Sequence, residues 1–150
     1  MTDDKTPLVR VISFGYGHTG ALGEDGRVLE PPTADITLDL RRVLHNPHHD
    51  PAMRELTGLD KAVYDHVRAT PGAELPAQNT ALTAHWLMDQ ARPTLLTVAV
   101  GCTGGRHRAV ATARLIHALL TDLSKAGGYD VELSHRDVHR AVLPSTSHRP

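Results

Sequence analysis

Eight consecutive residues carry most of the reactive chemistry in this 150-residue chain: Gly101-Cys102-Thr103-Gly104-Gly105-Arg106-His107-Arg108. A thiol, a hydroxyl and three basic side chains share one glycine-rich turn. The turn follows a short apolar run, Thr94 to Val100, and precedes a run with helical spacing from Ala109. A turn between a strand and a helix gathers backbone N–H groups and the positive end of the helix dipole at one point. An anion, most simply a phosphate, suits that point. Glycines alone would be explained by a tight turn. The basic run is different, because Arg106, His107 and Arg108 stand where the dipole disfavours positive charge, a conflict that a bound anion relieves.

A catalytic reading also exists. Cys102 to Arg108 satisfies C-x-x-G-x-x-R and so resembles the phosphate loop of cysteine-based phosphatases. There Cys102 would be the thiolate nucleophile and Arg108 the phosphate clamp. Gly101 and Ala109 replace the His and the Ser/Thr of that pattern, and Asp39 and Asp137 are candidates for the general acid. Other motifs carry less. Gly15-Tyr16-Gly17-His18-Thr19-Gly20 matches G-x-G-x-x-G after a strand, but the residues to Pro31-Pro32 cannot open the helix that a dinucleotide site requires. His45, His48 and His49 lie on a Pro-bracketed loop without the Cys or Glu-x-x-His that would support a metal, so no metal and no cofactor are expected. His135-Arg136-Asp137 lacks the Asn of a kinase catalytic loop; position 142 is Val.

The elements that must position these groups follow from periodicity. Leu8–Phe14, Ile36–Leu40 and Thr94–Val100 read as strands, and Tyr129, Val131 and Leu133 alternate with polar residues as a strand near a sheet edge. Thr57-Gly58-Leu59-Asp60 has capping-box spacing and predicts a helix with Leu59, Val63 and Val67 inward. A second helix is expected over 81–91, capped by Asn79 or Thr80, with Leu82, Leu87 and the only Trp, Trp86, inward. A third places Ala109, Ala113, Ile116, Leu120 and Leu123 on one face, and Gly127-Gly128 ends it. The order predicts a small α/β sandwich, its sheet partly parallel and flanked by helices. Ligands then bind beyond the carboxyl ends of the strands, where the loops after residues 14, 40 and 100 should converge.

Composition bounds the rest. Apolar residues make up 40%, charged residues 22% and aromatics 3%, so the core must rest on aliphatic side chains. A net charge of -1 supplies no global field for nucleic acid or membrane. A single Cys excludes an internal disulfide and suits a reducing compartment, and no apolar run has membrane-spanning length, so a cytoplasmic protein is expected. One domain is expected over 1–137, with 138–150 as a flexible tail.

Several motifs in order carry a broader likeness. Ser13-Phe14-Gly15-Tyr16, Asp39-Leu40-Arg41, Asn46-Pro47-His48, Leu56-Thr57-Gly58-Leu59-Asp60, the run from Leu96 to Arg108, and His135-Arg136-Asp137 together resemble the C-terminal domain of the RapZ family, the RNase adapter proteins. The resemblance spans about residues 8 to 137. It implies a phosphofructokinase-like α/β domain that forms homo-oligomers and acts as a sensor and adapter rather than an enzyme. It further implies a phosphorylated ligand, glucosamine 6-phosphate or another hexosamine phosphate or a nucleotide, with a small RNA and a protein as partners. Carried over, Thr103, Gly104, Gly105, His107 and Arg108, with Arg106 beside them, would hold the phosphate. Asp39, His48 and Arg54 would face the sugar, and Arg136 and Arg140 are the candidates for RNA. The chain departs from the pattern in three ways: no G-x-x-x-x-G-K-[ST] occurs in it, the segment from Asp39 to His48 is one residue longer, and a lysine-rich C-terminus is replaced by Val138-His139-Arg140-Ala141-Val142. Weak RNA affinity at physiological salt is therefore expected.

Overall fold

In the computed structural model, which describes residues 5–44, 47 and 50–144, β-branched runs form the strands where their periodicity places them. The elements are β1 (Leu8–Gly15), β2 (Ile36–Asp39), α1 (Lys61–Ala69), α2 (Glu74–Gln90), β3 (Leu95–Cys102), α3 (Arg108–Gly127) and β4 (Asp130–His135), with a 3-10 turn at Tyr16–His18 after β1. The strands order as β2-β3-β1-β4. Leu8 lies opposite Leu95 and Asp130, and Asp39 opposite Gly101. This is the expected α/β sandwich, with a sheet parallel at every pairing. Even the helix-free connection from β1 to β2 crosses β3 instead of turning back as a hairpin. β4 is an edge strand, as its alternation predicts.

The core lies between the sheet and the helices. Val9 and Val11 of β1, and Leu96, Val98 and Val100 of β3, join Ala109, Ala113, Ile116 and Leu120 of α3 in one cluster, all at most 4% exposed. The stripe predicted for α3 is thus the buried one, and Gly128 ends the helix in the left-handed conformation at φ 71°. Val63 and Val67 of α1 pack on Ala111 of α3.

Expectations for two of the helices are corrected. Helix α2 starts at Glu74, seven residues before the predicted start, because Pro76 falls in the first turn where its missing N–H is not needed. Its buried face is Ala77, Ala81, Ala84 and Met88, whereas Leu82, Trp86 and Leu87 are exposed. Small side chains let α2 approach α3 closely, and bulk alone misdirects the reading. Leu59 is likewise exposed. Here Asp60, not Thr57, precedes the helix; the Asp60 carboxylate accepts the Thr57 N–H at 2.8 Å, one half of the expected box.

On the β1–β4 pair, the Ser13 hydroxyl meets His135 Nδ1 at 2.6 Å. Burial holds the His135 imidazole down at about 4, and Arg114, His117 and His139 add to the effect. The unfolded chain therefore binds the proton more readily between about 6.5 and 4. Stability should fall as pH drops through that window. His135→Asn should flatten this slope in melting temperatures measured from pH 7 to 4; an equal slope would remove His135 as its source.

Candidate functional site

Because all four strands are parallel, their carboxyl ends share one edge of the sheet. β1 and β3 are neighbours whose onward connections leave in opposite directions, one to β2 and the other through α3 to β4. Such a switch point is where open α/β sheets leave a crevice. At that point the Tyr16–His18 turn and the Cys102–His107 turn pack against each other. The Gly17 N–H donates to the Thr103 carbonyl at 2.9 Å, and His18 Nε2 lies 3.1 Å from the Gly104 carbonyl. A Cβ at Gly15 would stand 2.6 Å from the Gly104 backbone. Gly15 and Gly17 of the G-x-G-x-x-G match thus serve close packing of two turns, whereas Gly20 has open space around it at φ 91°, and a short hairpin bridged at Leu22 and Val28 follows in place of a helix.

The thiol of Cys102 faces into its own turn, accepting the N–H groups of Gly105 at 3.3 Å and Ala109 at 3.4 Å. The residue is 3% exposed. The three basic side chains reach outward from the turn to carbonyls of neighbouring loops. Arg106 donates to Arg140 and Glu55, and His107 Nε2 lies 2.9 Å from the Met53 carbonyl. Arg108, 4% exposed, donates to Leu40 at 2.9 Å and more weakly to Arg41 and Val43. These bonds tie the loops after β2 and β4 to the start of α3. They neutralise no charge. Among the described residues no carboxylate bonds to Arg106 or Arg108, although the Arg108 charge helps to lower the Asp39 carboxyl through space, and the Nε of each is buried without a hydrogen bond. Two cations thus sit beside the positive end of α3, under a turn whose Thr103 is exposed and whose Gly104 has open space at its Cβ position.

The β2 side of this edge joins Asp39, a predicted sugar-side residue, to two residues that pattern reading did not select. Asp39 grips Arg41 through both carboxylate oxygens, the nearest contact at 2.7 Å, and the Arg41 guanidinium lies 3.7 Å from the centre of the Tyr16 ring. Hydrogen bonding to Arg41 holds the Asp39 carboxyl below its ordinary range, while burial and then Asp39 push the Tyr16 phenol up. Tyr16 and Arg41 were not among the predicted site residues. The signal for them is positional: each follows the end of a strand whose carboxyl edge borders the turn. Of the other predicted sugar-side residues, Arg54 lies in the exposed turn after Asp50, and His48 lies outside the described residues, as do His45 and His49. Among the described residues no three His, Cys, Asp or Glu converge as a metal site, and no helix is long and apolar enough to cross a membrane.

The predicted RNA contacts Arg136 and Arg140 both hold Asp137, each at 2.8 Å. Asp137 is fully buried and also accepts the Gly15 N–H at 2.7 Å. Next to it Val138 is buried, and Leu143 closes on Gly17.

Comparison with known proteins places this geometry. A family model described as the RapZ C-terminal domain matches residues 7–139. A nucleotide-binding protein of Rhodospirillum centenum is 42% identical over 140 residues, covering 91% of this chain and 38% of that protein. One from Thermus thermophilus is 41% identical over 136 residues, 89% of this chain and 44% of its own length. One from Acidothermus cellulolyticus is 37% identical over 145 residues, 93% of this chain and 43% of that protein. The chain therefore spans less than half the length of these relatives.

Proposed function

The chain belongs to the RapZ C-terminal domain family, and from that premise we propose that the β1–β3 crevice binds the phosphate group of a small metabolite. The ligand is a hexosamine phosphate such as glucosamine 6-phosphate, or a nucleotide, and the domain works as a regulatory sensor. One observation carries the reading. Arg106 and Arg108 are held by neutral carbonyls beside a helix N-terminus, so positive charge gathers there with no carboxylate bonded to either among the described residues, Asp39 acting on Arg108 only through space. Thr103 and Gly104 form the open side, and Asp39 stands across the crevice, suited to sugar hydroxyls. The names of the relatives, nucleotide-binding proteins, are in keeping with a phosphorylated ligand. The phosphatase reading has less behind it, because Cys102 is only 3% exposed and its thiol faces inward from the turn. The RNA reading also has less, since Arg136 and Arg140 are engaged on Asp137.

Thermal shift tests the ligand. A phosphosugar or nucleotide at a hundred times its Kd should add about 2.7 kcal/mol, or roughly 2–4 °C in Tm for each kcal/mol in a chain of this size. Glucosamine without its phosphate should add nothing. Cys102→Ser should keep the shift. Gly104→Ala should leave the unliganded Tm unchanged, having nothing within 4 Å of its new methyl, yet reduce the shift by filling the open side of the turn. If no phosphate ester raises Tm at millimolar concentration, the proposal fails.

A further inference from the structure

Asp39 ends β2 opposite Gly101, the residue before the Cys102–His107 turn. Among the described residues its two oxygens accept from one partner only. Arg41 gives its backbone N–H at 3.0 Å, its Nε at 3.1 and 3.2 Å, and its Nη2 at 2.7 Å. A fork of this kind takes up most of the acceptor capacity of a carboxylate, so a ligand hydroxyl must displace part of it. Arg41 has a second resting place. Its guanidinium lies 3.7 Å from the centre of the Tyr16 ring, which attracts a cation whether or not Asp39 is bonded. The ring is held in turn. It stands edge-on to Phe14 at 4.6 Å, and a Cβ at Gly101 would come within 2.5 Å of it. The main chain at this point is fixed as well, because Arg108 donates to the carbonyls of Leu40 and Arg41. Only the side-chain pair is open. Arg41 and Asp39 are 46 and 40% exposed there, and an exposed ion pair is weak. It can part without any movement of the backbone.

We propose that Arg41 is an internal competitor of the ligand: it holds Asp39 until the sugar side of a phosphate ester takes its place, and then rests on Tyr16 alone. This rests on the phosphate reading of the crevice and adds the regulation of that site. The Cys102–His107 turn sets the affinity for a bare phosphate. The Asp39–Arg41 pair raises the concentration at which a complete ligand binds, because only the fraction of molecules with the pair parted is competent. A direct consequence separates this role from a simple electrostatic one. Removing the Arg41 cation, although it flanks an anion site, should favour the whole ligand over bare phosphate.

Isothermal titration calorimetry tests this with two probes, inorganic phosphate and glucosamine 6-phosphate, at about 150 mM salt to screen long-range attraction. Inorganic phosphate has no sugar to place on Asp39. The ratio of its Kd to that of glucosamine 6-phosphate therefore isolates the sugar side from the loss of charge. In Arg41→Gln the ratio should rise about two- to fivefold, the weight of an exposed ion pair. Arg41→Lys keeps the charge without the fork and should raise it less. In an Asp39→Asn background, Arg41→Gln should leave the ratio unchanged, since the two residues act as one pair. If wild type binds both probes and the ratio in Arg41→Gln is unchanged or lower, the competitor role is overturned and the phosphate reading stands. If no variant binds either probe, the phosphate reading fails and the competitor role falls with it.

Discussion

Asp137→Ala should destabilise the protein by about 3–5 kcal/mol, the range for removing one partner of a buried ion pair. Asp137 is 0% exposed and joins three parts of the chain. Its carboxylate accepts the backbone N–H of Gly15 at the end of β1, and it pairs with Arg136 and Arg140. Alanine would leave two partly covered guanidiniums without their anion and a buried N–H without an acceptor. Against a usual total of about 5–15 kcal/mol, that loss is large. Urea denaturation of the two proteins measures it. Burial pushes the Asp137 carboxyl up, but the bonds from Arg136, Gly15 and Arg140 prevail and hold it below its ordinary 3.8. Its contribution is therefore complete above about pH 4 and is lost as pH falls through the lower folded value. The variant should be the less acid-sensitive protein on that limb. An Asp137→Ala protein within about 1 kcal/mol of wild type would mean that the network is solvated and weak.

Gly105→Ala is the second large effect, expected at about 2–5 kcal/mol from left-handed strain together with overpacking. Gly105 has φ 72°, and its added Cβ would lie 2.6 Å from the Gly15 nitrogen and 2.9 Å from the Phe14 carbonyl carbon. Backbone atoms of a central strand cannot swing aside as a flexible side chain would. The neighbouring Gly104 supplies the control, since its Cβ position is open. In the same urea titration Gly105→Ala should lose stability while the adjacent Gly104→Ala stays close to wild type. Equal, small effects would contradict the close approach of the two turns.

The sequence carried the elements of the site better than the uses of its side chains. β3, its turn and α3 were legible because an apolar β-branched run, three glycines and a helical stripe are all local signals. The convergence of the loops after β1, β2 and β3 followed from the βα order alone. What pattern reading missed has a common source: it concerns partners far apart in the chain or in space. Bulk suggested that Trp86 and Leu82 point inward, whereas closeness of approach favours the alanines of the same helix. Arg106, His107 and Arg108 suggested direct phosphate ligands, but their side chains also carry loops that no spacing rule connects to them. Asp137 was named in motifs and as a candidate general acid, never as a structural anchor, because that role depends on Gly15, 122 positions away. Tyr16 and Arg41 face each other across two strand ends, a relation that exists only once β3 separates β1 from β2.

The position of β1 has a consequence for how the chain acquires its structure. β1 is synthesised before either of its partners, yet it lies inside the sheet, and those partners begin 87 and 122 positions downstream, at residues 95 and 130. No hairpin can shelter it meanwhile. A nascent chain must carry this strand with both edges unsatisfied until β3 has left the ribosome, and the second edge waits for β4. Loop closure over such distances precedes any gain from pairing, so folding should be slow for a domain of this length. The apolar run Leu8–Phe14 is then the segment most exposed to misassociation during synthesis, although in the finished protein it is among the best protected.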